Sequence, residues 1–82
     1  MKNYLAAIIN YTSAINIDSN YANAYYNRGL ASNALGNTQE AIKDYRKAAD
    51  LYKQQGKDSR YKETLKDIQQ LETNINQLFA HP

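Results

Sequence analysis

Residues 22–51, ANAYYNRGLASNALGNTQEAIKDYRKAADL, decide how the rest of the chain is read. Two segments with helical apolar spacing flank Gly36-Asn37, a pair suited to ending one helix and capping the next. Small residues at Gly29, Ala41 and Ala48 leave room for two helices to approach closely, and Tyr25 and Tyr45 fill the space beside them. A shift of 34 residues brings the first part of the chain onto the second helix of this pair. Ala7 falls on Ala41, Ile8 on Ile42, Tyr11 on Tyr45, Ala14 on Ala48 and Ile17 on Leu51. A fixed period of this length marks a repeat whose unit cannot bury its own apolar face alone.

The pattern Tyr25-x-x-Arg28-Gly29 … Ala41-x-x-x-Tyr45-x-x-Ala48 resembles the tetratricopeptide repeat (TPR), a helix–turn–helix unit that stacks into binding scaffolds. Three positions depart from it. Tyr25 stands where that family usually has Trp, and Ser19 and Lys53 stand where it usually has Pro. The resemblance implies an all-α fold of four antiparallel helices, an α-solenoid fragment whose business is protein–protein interaction. In that family the inner surface comes mainly from the first helix of each pair. The matching positions here are Asn23, Tyr26, Asn27, Leu30 and Asn33, helically spaced and on one face. Asn offers both a donor and acceptors to a peptide backbone, and Tyr offers flat contact area at low entropic cost. Some relatives clamp a carboxylate tail with Lys and Asn. Asn27 occupies one clamp position, but the clamp lysines have no counterpart.

Composition points the same way. Eighty-two residues make one domain at most, and the 43% apolar fraction is dominated by Ala, Leu, Ile and Tyr, a helical mixture. With no cysteine, disulfides, thiol catalysis and cysteine-bound zinc are excluded. His81 is the one histidine and sits beside Pro82; no Ser or Asp is spaced to build a nucleophile with a base. Asp44 and Asp67 each stand next to Lys, Asp50 lies three residues from both Lys47 and Lys53, and all three read as a solvated charged surface. The expectation is therefore no enzyme, no cofactor, no metal site and a cytoplasmic protein. A net charge of +2, dispersed, argues against nucleic acid, and no apolar run approaches the roughly 20 residues of a membrane span.

Along the chain, the spacing predicts helices over residues 4–17, 21–35, 37–54 and 59–79. Residues 1–18 read as the second helix of a partial repeat, 20–55 as one full repeat and 57–80 as a capping helix. Asp18-Ser19-Asn20 is expected to cap the second helix, and Asn37 with Glu40 to form a capping box on the third. The fourth drops the repeat pattern and steps through Tyr61, Leu65, Ile68, Leu71, Ile75 and Leu78. Ala80-His81-Pro82 is expected to fray.

The absent first helix of the leading repeat leaves Tyr4, Ile8, Tyr11 and Ile15 as candidates for self-association. Leaving four such side chains wet forgoes about 1.5–3 kcal/mol each, comparable with a small domain's whole stability of about 5–15 kcal/mol. Residues 1–37 carry only Lys2, Asp18 and Arg28, so nothing charged opposes covering this surface. Either a longer array or a second copy covers it, and a homodimer or higher oligomer is expected. The other reading of the whole chain is a purely structural C-terminal cap of a longer array, without a ligand of its own.

Overall fold

A computed structural model of the chain describes residues 3–80, with side chains through Gln77. The readings for Leu78, His81 and Pro82 lie outside what it describes. Four helices, α1 (Tyr4–Ile17), α2 (Ala22–Ala34), α3 (Thr38–Gln54) and α4 (Asp58–Ala80), follow one another through short turns. Each packs chiefly on its neighbour in sequence: α1 on α2, α2 on α3 and α3 on α4. The all-α repeat architecture expected from the 34-residue period is the one observed.

Burial is concentrated on α3. Ala48, Leu51 and Tyr52 form one cluster with Ala22 of α2; Ile42, Tyr45 and Ala49 form another with Ile68 of α4. The approach of α2 to α3 depends on Gly29. A Cβ there would lie 2.8 Å from Tyr45 Cε1 and 3.1 Å from the Ala41 carbonyl oxygen, so no larger residue fits without movement. The Tyr26 and Tyr45 rings pack beside this crossing with centroids 5.0 Å apart.

The turns after α2 and α3 have the same construction. Gly36 (φ 86°) and Gly56 (φ 73°) adopt left-handed backbone, and the next residue's N–H reaches back to Ser32 and Tyr52 carbonyls respectively, both at 2.9 Å. Two expected caps differ. Asn37 stands at the start of α3, but its side chain makes no capping hydrogen bond, and its backbone N–H, the group Glu40 would reach back to, is already taken by the Ser32 carbonyl. Before α2, Asp18 accepts from the Asn20 N–H within its own turn, and Tyr21 takes the cap position without a side-chain bond.

On α4 the apolar steps hold except at Leu65, which is 42% exposed, while Thr64 beside it is fully buried. A buried hydroxyl is tolerated there because Thr64 Oγ1 donates to the Arg60 carbonyl at 2.7 Å. Thr64, with its smaller side chain, therefore occupies the inner position expected of Leu65.

Gly29→Ala is expected to destabilise the fold. Better helix propensity returns about 1 kcal/mol, but overpacking against a buried ring and a carbonyl costs about 1–3 kcal/mol. Urea unfolding should show a net loss of about 1 kcal/mol, and Gly29→Leu a larger one.

Candidate interaction surface

Three polar links hold the helices in register and consume side chains that the sequence leaves free. Arg28, the one charged residue of α2, is bidentate to Asp44 of α3: Nε donates to Oδ2 and a terminal nitrogen to Oδ1, both at 2.8 Å. Its other terminal nitrogen reaches Thr12 Oγ1 of α1 at 3.2 Å, so one guanidinium joins three helices. Tyr26 donates to Asp67 Oδ2 on α4 at 2.5 Å. Tyr52 donates to Asn23 Oδ1 and accepts from Arg60, whose guanidinium lies 5.1 Å and 5.2 Å from the Tyr26 and Tyr52 ring centres. Asp44 and Asp67 are thus structural partners rather than a solvated surface. The reason is that Arg28 and the Tyr26 hydroxyl reach them from α2, across the fold, which local spacing does not reveal.

These links sort the five α2 residues selected from the sequence. Asn23 is tied to Tyr52, Tyr26 to Asp67, and Asn33 accepts from Thr38 Oγ1 at 3.4 Å. Asn27 and Leu30 instead face a groove of about 530 Å³ between α1 and α2, whose other walls include Tyr4, Ala7 and Tyr11. Among the described residues no charged side chain lines it, in contrast to the groove between α3 and α4 with Glu40, Lys43, Arg46 and Glu72.

Of the four α1 residues selected, Ile15 is 9% exposed within the chain, and Tyr4, Ile8 and Tyr11 are half-buried. The large apolar side chains most open on α1 are others: Leu5 at 64%, Ile9 at 66% and Ile17 at 88%. Sequence reasoning missed them because it followed the i, i+3/i+4 stripe that faces α2. The signal was available in the 34-residue shift, which sets Leu5 and Ile9 against the exposed polar Gln39 and Lys43.

Among the described residues no group of three or more His, Cys, Asp or Glu could hold a metal ion, and no helix is long and apolar enough to cross a membrane. Residues 22–55 match the family model described as tetratricopeptide repeat, and residues 1–36 match a second described as TPR repeat. No curated protein and no solved structure matches the chain.

Burial, aided by the Asp67 charge, pushes the Tyr45 hydroxyl up to about 12. Burial, then the hydrogen bond to Asp67, raises that of Tyr26 as well. Both groups keep their protons in the fold after an unfolded tyrosine, near pH 10, has lost its own. Their stabilising contribution is therefore complete below pH 10 and is lost as pH rises from about 10 through 12. Urea midpoints between pH 8 and 11.5 should fall over that window, and Tyr26→Phe should flatten the fall while lowering stability at pH 8 by about 1–3 kcal/mol.

Proposed function

The chain belongs to the tetratricopeptide repeat family, whose repeats mediate protein–protein interaction, and on that premise we propose that it is a non-catalytic binding module that self-associates through α1. Its α2 face, Asn23, Tyr26, Asn27, Leu30 and Asn33, is presented to a peptide or protein partner, with Asn27 and Leu30 making the open contacts. Residues 57–80 cap the stack, and the module works in the cytoplasm without cofactor, nucleic acid or membrane.

The observation that carries self-association is the ridge Leu5-Ile9-Ser13 on α1. Its steps of four residues form a straight row, its two large members are mostly exposed, and α1 from Tyr4 to Ile17 has no charged side chain. Rows of this spacing interdigitate with a copy of themselves at a crossing angle near −50°. Burying four such side chains is worth about 1.5–3 kcal/mol each, set against about 4–15 kcal/mol for association. The dimer is accordingly weak.

The second reading, a structural cap without a ligand, is favoured by one observation: Asn23, Tyr26 and Asn33 are already engaged inside the fold. An unchanged partner set in pull-downs with Asn27→Ala/Leu30→Ala favours it.

Light scattering after gel filtration should give a dimer at tens of micromolar. Leu5→Glu/Ile9→Glu should give a monomer with unchanged helicity, because both positions face outward. A wild-type monomer at that concentration contradicts self-association.

A further inference from the structure

We infer that a second copy meets this chain across a two-fold axis at Ile9, with the two α1 helices running in opposite senses and Leu5 of each copy seated on Ser13 of the other. The inference rests on the reading that the chain self-associates through α1, and it specifies the arrangement and the size of that assembly.

The internal repeat supplies the comparison. The row Leu5-Ile9-Ser13 falls, 34 residues on, upon Gln39-Lys43-Lys47 of α3. Those three are exposed although α3 has α2 on one flank and α4 on the other. The row is therefore outer surface even in a helix with both flanks covered, and any segment packed on α1 as α2 packs on α3 leaves it open. Where α3 has a glutamine and two lysines there, α1 has Leu at 64% exposure, Ile at 66% and an exposed Ser. Buried Ile15 and the hydrogen bond from Arg28 to Thr12 fix the rotation of α1, so the row points outward. Among the described residues, Leu5 and Ile9 are the only large apolar side chains exposed four apart on one helix. The surface that matches this row is the same row on a second copy.

Two arrangements lay one row on the other about a two-fold axis, and they differ in helix sense. Parallel helices set Leu5 against Leu5 and Ser13 against Ser13, which crowds one end of the contact and leaves the other unfilled. Opposed helices centred on Ile9 set Leu5 against Ser13 at both ends, since each lies four residues from the axis. Large then meets small twice, as close packing requires. The opposed sense also turns the positive end of each helix toward the negative end of the other. Covering the Ser13 hydroxyl has a precedent in Thr64, which is fully buried and donates to the carbonyl four residues back. The assembly stops at two. A head-to-tail contact would lay Leu5 and Ile9 on the exposed row of another helix, Gln39-Lys43-Lys47 of α3 or Lys62-Lys66-Gln70-Asn74 of α4. The lysine ammonium groups there would lose hydration and gain no partner, so growth beyond the closed pair is disfavoured.

The chain has no cysteine, so a single introduced thiol can pair only with that of a second copy. Full-length single-cysteine variants are oxidised mildly at the concentration used for light scattering, then resolved by non-reducing denaturing electrophoresis and mass spectrometry. Ile9→Cys, on the axis, should form a covalent dimer at least about tenfold faster than Lys47→Cys, its exposed control on α3. With opposed helices the two Leu5 positions lie roughly 12 Å apart, beyond the reach of a disulfide. Leu5→Cys alone and Ser13→Cys alone should therefore cross-link as slowly as the control. An equimolar mixture of the two should give the mixed dimer, identified by its mass, about as fast as Ile9→Cys. Circular dichroism confirms that each variant keeps the wild-type helicity. Leu5→Cys pairing with itself as fast as the mixture means parallel helices and overturns the inference, while a dimer by light scattering leaves self-association standing. Ile9→Cys no faster than Lys47→Cys in a dimeric chain overturns it as well, since the row is then not the contact. A wild-type species larger than a dimer contradicts the closed pair. A wild-type monomer removes self-association, and the inference with it.

Discussion

A helix in this stack is buried only when it has a neighbour on each side, and that requirement shapes the whole molecule. α3 has α2 on one flank and α4 on the other, and both apolar clusters are built on it. α1 repeats four of the buried side chains of α3 and, among the described residues, packs chiefly on α2. Because hydrophobic stabilisation is roughly proportional to apolar area removed from water, the two helices contribute unequally although the row Ala7, Tyr11, Ala14 and Ile17 matches Ala41, Tyr45, Ala48 and Leu51. Stack position as well as residue identity separates a buried helix from a partly exposed one.

The polar links determine where binding can occur. Arg28 clasps Asp44 and reaches Thr12, Tyr26 is held by Asp67, and Asn23 by Tyr52. A side chain bound within its own fold has less to offer a ligand, because a new partner must compete with a hydrogen bond already made. The face of α2 that the family resemblance marks for peptides is therefore partly spent on registering α3 and α4. The side chains without such ties cluster on α1 and along its groove with α2, and there the surface is apolar and uncharged. Recognition by such a surface depends on shape and small-residue spacing more than on charge.

Much of this fold is legible in the sequence because it is periodic. The Gly36 turn, the helix bounds to within a residue or two, and the burial of Ala41, Tyr45 and Ala48 all follow from the 34-residue shift and the spacing of small residues. What escaped was long-range and polar. Asp44 and Asp67 look solvated beside their lysine and arginine neighbours, and only the packing of α2 brings Arg28 and Tyr26 to them. Thr64 in the place of Leu65 was hidden for a similar reason: its back-bond to Arg60 makes a polar residue fit an inner site. On α1 the stripe that faces α2 marks Ile8 and Ile15, whereas Leu5 and Ile9 lie off it, and Ile17 is 88% exposed although its equivalent Leu51 is buried. Periodicity identifies which residues are equivalent; it does not say which equivalents have a neighbour.

Amide hydrogen exchange on the monomeric Leu5→Glu/Ile9→Glu chain tests the central claim most directly. Protection reports the free energy of opening each helix separately. The account predicts the highest protection in α3, at the level of global unfolding, and protection in α1 lower by at least about tenfold despite its matching side chains. Amides of α1 as protected as those of α3 in the monomer would show that α1 lacks no flank, and would contradict the account.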